Sequence, residues 1–189
     1  MRTIPFSEGI FSLTITCAKW INLIEIVNGY DIIYNWFNLL KSKGHFICGY
    51  VIMPNHIHVI IGFKNVGQSI NTIVGNGKRF IAYEIIKRLK ENNQTNILNT
   101  LESLVEPDRK IKAKKHEVWQ ASFDWKYCDN ESIIDMKINY FHNNPCVSKW
   151  NLATSPVFYR HSSAKFYIEN EQGIYEVTSY FKVLGENLT

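Results

Sequence analysis

Residues 45–52, HFICGYVI, and 56–63, HIHVIIGF, are two apolar runs of strand composition separated only by Met53, Pro54 and Asn55. So short a connection reverses a chain but cannot carry it back across a sheet, since a parallel crossover takes a dozen residues or more. The two runs are therefore predicted to form an antiparallel hairpin, with Pro54 fixing φ and Asn55 tolerating unusual turn angles. Ahead of them, GIFSLTITC (9–17) alternates and is rich in Phe, Ile and Thr, and NLIEIV (22–27) is read as its hairpin partner.

Elsewhere the apolar period lengthens from strand to helix spacing. YDIIYNWFNLLKSKG (30–44) puts Ile33, Trp36, Phe37 and Leu40 on one stripe, with Asp31 as N-cap and Gly44 as terminator. Residues 68–92 carry a second stripe through Phe80, Ile81, Ile85 and Leu89, which Gly75-Asn76-Gly77 is expected to interrupt near its start. The polar, then basic stretch 93–117 is expected to be a mobile loop. WQASFDWKYC (119–128) is read as a strand, and DNESIIDMKINYFHNNP (129–145) as a helix capped by Asp129 or Asn130 and ended by Pro145. Strands interleaved with helices, and hairpins too short for crossovers, give an α+β fold with helices packed on an antiparallel sheet.

Composition narrows the function classes. Hydrophobic residues at 46% and charged residues at 20% exclude a mostly disordered chain. No stretch approaches the roughly 18 apolar residues of a membrane span, so no membrane partner is expected. Cys17, Cys48, Cys128 and Cys146 form no C-x-x-C pair, which builds neither a zinc knuckle nor a disulfide framework and points to a reducing, cytoplasmic setting. A net charge of +4 permits nucleic-acid binding without demanding it. The charge is local, however: RKIKAKK (109–115) holds five Lys or Arg in seven residues, and GKRF (77–80) adds two more. Lys78, Arg79, Lys110, Lys112, Lys114 and Lys115 are candidates to neutralise nucleic-acid phosphates, against the plainer alternative of a solvated loop.

His56 and His58 stand two apart in a strand, so they share one face while Ile57 and Val59 point to the other, into the core. Two imidazoles can hold a divalent cation, but chemistry needs a third ligand and an open position. The helix 130–144 offers one: Ile134, Ile138 and Phe141 make an apolar stripe, and Ile133, Lys137, Tyr140 and Asn144 make another, with Tyr140 and Asn144 one turn apart. A phenol, a carboxamide and two imidazoles brought together form a metal-assisted nucleophilic site, Asn144 completing the coordination sphere and Tyr140 attacking. Mixed nitrogen and oxygen ligands suit Mn²⁺ or Mg²⁺. Pro145 disfavours α geometry at Asn144, which is therefore expected at a frayed helix end. His142 and Asn143 are read as nucleic-acid contacts or surface.

His56-Ile57-His58 within MPNHIHVII, followed about eighty residues later by YFHNNP, resembles the HUH single-tyrosine transposases, and among them the REP-associated tyrosine transposases. VWQASF (118–123) and FYRHSSAKFY (158–167) look like further blocks of that family, and the resemblance covers roughly residues 8–167. It implies a ferredoxin-like antiparallel sheet with the HUH motif on a central strand, in a domain 1–167 followed by a C-terminal extension 168–189 packed on it. It also implies a site in which His56, His58 and Asn144 hold Mg²⁺ or Mn²⁺ against the scissile phosphate of single-stranded or hairpin DNA. Tyr140 would attack to form a 5′-phosphotyrosine with a free 3′-hydroxyl. Relatives act as homodimers or monomers, and this sequence does not choose between them. The histidine-triad nucleotide hydrolases share the H-hydrophobe-H start but need a further histidine where Ile60 stands. A DNA-binding protein that keeps the fold without cutting is the alternative.

Overall fold

The computed structural model describes residues 3–107 and 114–185. Strand β1 (Gly9–Thr16), strand β2 (Phe46–Met53), strand β3 (His56–Phe63) and strand β4 (Asp124–Tyr127) form one sheet in the order β2-β3-β1-β4. Every neighbouring pair is antiparallel. The predicted hairpin forms, with Met53 opposite His56. Pairing of Thr16 with His56 and of Thr14 with His58 sets β3 between two partners.

The connections interleave. A short helix α1 (Leu23–Ile26) and the longer α2 (Tyr30–Ser42) lead from β1 to β2, while α3 (Ile70–Glu91) and α4 (Thr95–Ser103) lead from β3 towards β4. Each path passes over one intervening strand, as in two split βαβ units. Beyond β4 come α5 (Glu131–Asn143), α6 (Ala164–Glu169) and α7 (Tyr180–Gly185).

Strand alternation sorts the core into two layers, one on each side of the sheet. Leu13, Ile15, Ile57, Val59 and Ile61 are buried with Ile33, Trp36 and Phe37 of α2 and Ile81 and Ile85 of α3. Ile10, Val51, Met53 and Ile60 are buried on the other side with Ile134, Ile138 and Phe141 of α5 and Tyr180 and Val183 of α7. His56 and His58 belong to that second side.

Several local expectations are corrected. NLIEIV is not a strand: α1 docks on the hairpin turn, where the Pro54 carbonyl accepts from the Ile24 and Glu25 amides at 3.0 and 3.2 Å. Gly29, not Asp31, occupies the cap position of α2. The Asp31 carboxylate instead receives Arg88 of α3, Nη1 to Oδ1 at 2.8 Å, and that guanidinium holds its carboxyl below the usual range. Gly75-Asn76-Gly77 does not break α3, which Ser69 caps by accepting from the Thr72 amide. Gly77 is needed for proximity, since a Cβ there would lie 2.2 Å from Trp36 Nε1. The stretch 93–117 contains α4, held by buried Leu101. Of 119–128 only Asp124–Tyr127 joins the ladder, and Trp119 makes a single bridge to Cys17.

Strand β2 lies at the sheet edge, and the chain beyond α5 covers it. The Ile52 amide donates to the His161 carbonyl at 2.9 Å, the Ser163 amide to Tyr50 O at 3.0 Å, and the Thr178 amide to Ile47 O at 2.9 Å. Among the described residues no helix is long and apolar enough to cross a membrane.

Candidate active site

Helix α5 starts where the Asn130 side chain accepts from the Ile133 amide at 3.0 Å, so of the two candidate caps Asn130 serves. Seating Ile134, Ile138 and Phe141 on the sheet turns the neighbouring stripe towards the histidines. Tyr140 stands at the rim, 59% exposed, with its ring 5.7 Å from that of His58. Asn144 does not fray. It keeps right-handed helical angles (φ −53°, ψ −45°) ahead of Pro145, opens a 3-10 turn through Cys146, and is buried.

The histidines are fixed by their neighbours. Nδ1 of His58 lies 2.9 Å from Thr14 Oγ1, directly across the ladder, and its Nε2 lies 3.0 Å from Asn144 Nδ2. Its ring stacks on Phe141 at 4.4 Å. His56 sits perpendicular to His58, 4.7 Å between centroids, with Nδ1 2.7 Å from Asn55 Oδ1. The Asn55 amide nitrogen is already committed to the Trp20 carbonyl and to Asn22 Oδ1, so Oδ1 must accept and the His56 proton sits on Nδ1. That leaves Nε2 as the lone pair, the form in which imidazole binds metals.

Burial, with Lys149 nearby, pushes the His56 imidazole down to about 4. Burial, followed by His56 and Lys137, pushes His58 well below its ordinary value. Both rings are therefore neutral at physiological pH, as ligands must be.

Among the described residues no three His, Cys, Asp or Glu side chains gather as a metal group, so a third protein ligand here would be the amide of Asn144. Its Oδ1 is buried without a hydrogen-bond partner. A half-turn about the last side-chain bond exchanges that orphaned oxygen with the nitrogen facing His58. The 3.0 Å separation is close to the edge of an octahedron built on bonds of about 2.1 Å. The donor set fits Mg²⁺ or Mn²⁺.

Some residues that the sequence reading did not assign to the site complete the surroundings. Thr14 and Asn55 orient the two imidazoles, and Trp20 and Trp150 each place a ring 5.6 Å from His56. Thr14 was signalled by the polar alternation of Ser12, Thr14 and Thr16 along β1. Asn55 does not adopt a left-handed turn, so its side chain, not its backbone tolerance, is what the hairpin uses. His142 is not at the surface: it is buried, its Nε2 is 2.9 Å from Ser163 Oγ, and burial lowers it to about 4. Asn143 is exposed and bonds back to the Asn139 carbonyl.

Of the six basic candidates, Lys110 and Lys112 lie outside the described residues. Lys78, Arg79, Lys114 and Lys115 line one groove of about 990 Å³ between α3 and residues 114–123, together with Tyr83, which is 68% exposed. Helix α3 packs on the sheet face away from the histidines. Within the groove Lys78 donates to Gln120 O, Arg79 to Asn76 Oδ1, and Lys114 to Glu117 Oε1.

No protein-family model and no curated protein matches the chain. Solved structures do. A REP-associated tyrosine transposase bound to a REP hairpin aligns with a TM-score of 0.61 and 14% identity, over 93% of this chain and 87% of that one. The fold is shared with that REP-associated tyrosine transposase. A candidate transposase from Deinococcus radiodurans R1 aligns over 76% of this chain and 95% of its own, at 14% identity and a TM-score of 0.42. In this transposase-like fold the paired histidines lie on β3, one of the two inner strands, and the tyrosine lies on the helix that covers them.

Proposed function

We propose that the chain is a metal-dependent tyrosine transposase that cleaves and rejoins single-stranded or hairpin DNA, with the HUH motif on a central strand of a ferredoxin-like sheet. The observation that carries this reading is the contact of Asn144 with His58 beside Tyr140, which joins segments 86 residues apart around two neutral imidazoles. The likeness of fold to a transposase supports it.

His56, His58 and Asn144 would hold the cation, which when bound withdraws charge from a phosphoryl oxygen. The Tyr140 oxygen attacks the scissile phosphorus as the bond to the 3′-oxygen breaks. The phenolic proton passes to solvent, which reaches this rim position, and the departing 3′-oxygen gains one. A 5′-phosphotyrosine and a 3′-hydroxyl result, and attack by such a hydroxyl on the phosphotyrosine rejoins strands. No water is the nucleophile, so no carboxylate base is required. Phe141 and Asn144 keep the imidazole of His58 dry and oriented, and Thr14 and Asn55 hold the protons on the two Nδ1 atoms. Tyr140 adjoins the histidines of its own chain, which favours a site complete within one subunit.

Incubation with single-stranded oligonucleotide and Mn²⁺ tests the reading. A covalent protein–DNA adduct is expected with the wild type and absent with Tyr140→Phe. Tight binding without any adduct would mark a DNA-binding module instead.

A further inference from the structure

Two indole rings and an ammonium group meet beside His56 in a way that core packing does not explain. Trp20 is 49% exposed and stands edge-on to His56, while Trp150, half-buried, approaches the same imidazole from α5's far end. Lys149 Nζ lies 5.1 Å from the Trp20 ring and 5.0 Å from the Trp150 ring, within cation–π range of both. A singly exposed apolar side chain is ordinary, but two indoles and an ammonium gathered on one imidazole form a patch, and exposed patches mark binding surfaces.

The backbone that presents Trp20 is itself unusual. Lys19 and Trp20 are consecutive residues with φ of 49° and 59°, a left-handed conformation that is unfavourable for residues with a Cβ. The turn is held by the Trp20 amide on Cys17 O and by Asn55 Nδ2 on the Trp20 carbonyl. Asn55 thus holds the Trp20 carbonyl with its nitrogen and His56 with its oxygen, tying the backbone that carries the indole to the imidazole. Strained backbone that its surroundings over-determine is characteristic of ligand clamps.

We propose that Trp20, Lys149 and Trp150 form a nucleotide clamp, Trp20 stacking the unpaired base next to the scissile phosphate and Lys149 neutralising the adjoining phosphate. The clamp rests on the tyrosine-transposase reading for the identity of that phosphate. Indole faces take any base, so the clamp holds strand position without selecting sequence. It is also linked to the basic groove: the Ala18 amide donates to the carbonyl of Val118, which lines that groove.

The experiment measures binding of the oligonucleotide dT15 in EDTA, by tryptophan quenching and by salt titration. Wild-type fluorescence should quench on saturation, and Trp20→Leu should weaken binding about tenfold and reduce the quench, Trp150 keeping its share. Trp20→Phe should recover most of the affinity, which a merely structural role would not predict. Lys149→Gln should make the slope of log affinity against log salt shallower by about 0.7. Absence of saturable dT15 binding by the wild type, or equal affinity and quench in Trp20→Leu, overturns the clamp. If Trp20-dependent binding is found but Mn²⁺ yields no Tyr140 adduct, the clamp stands and the cleavage reading fails. If the adduct forms and the clamp variants behave as wild type, cleavage stands and the clamp is refuted.

Discussion

Asn144 spans 86 residues of sequence to bring its amide within 3.0 Å of Nε2 of His58, while its own Oδ1 stays buried without a partner. An unsatisfied buried carbonyl is costly, and a bound cation is the simplest group to relieve it. Asn144→Ala should therefore lower Mn²⁺ affinity by more than about tenfold, as seen in manganese resonance titrations, with little change in fold. Unchanged affinity would remove the amide from the coordination sphere. His56→Ala should likewise abolish adduct formation while leaving single-stranded DNA affinity largely intact, because most of any such affinity should come from phosphate contacts.

Thr14→Val keeps the shape of β1 and removes the oxygen 2.9 Å from His58 Nδ1. Loss of an orienting partner of a ligand histidine typically weakens metal binding about 10- to 100-fold. Calorimetric Mn²⁺ titration checks this, and a thermal melt close to wild type shows that the effect is local.

Protonation predicts an acid limit to stability. His142 is held neutral, its folded value lowered to about 4 against roughly 6.5 when unfolded, so the unfolded chain binds the extra proton. The stabilisation is complete above pH 6.5 and is lost as pH falls towards 4, amounting to about 3 kcal/mol. Urea denaturation at pH 7 and pH 4.5 should show the fall, and His142→Gln, able to keep a bond to Ser163, should make it less steep, the remainder belonging to His56, His58 and His161, which burial also holds below their ordinary range.

Much of this was legible because it is periodic. The β3 histidines and the α5 stripe of Ile134, Ile138 and Phe141 follow from strand and helix repeats, and both are found. The failures are tertiary. NLIEIV alternates like a strand, yet the Pro54 carbonyl captures it as a helical turn. Gly75-Asn76-Gly77 has the composition of a break, but Gly77 serves contact with Trp36, a residue on another helix. Trp20 and Lys149 could not be linked to His56 from sequence, since nothing local reveals which faces meet.

That contact is itself testable. Alanine at Gly77 gains about 1 kcal/mol of helix propensity yet must displace the Trp36 indole, and overpacking of this kind costs about 1–3 kcal/mol. Gly77→Ala should lower the Tm, whereas Gly75→Ala, where nothing lies within 4 Å, should raise it.

Arg79→Gln together with Lys115→Gln should weaken single-stranded DNA binding and make its salt slope shallower by about 1.4, without altering Mn²⁺ affinity. A filter-binding series from low to moderate salt measures it. An unchanged slope would place the DNA path elsewhere.

The cover over β2 has a consequence for any shortened version of the molecule. A protein ending at residue 160 would retain both imidazoles, the amide and the phenol, yet its outermost strand would show bare donors and acceptors to the solution. Such a fragment would be expected to recruit strands from its neighbours, so that self-association and not the loss of any reactive group would end its usefulness.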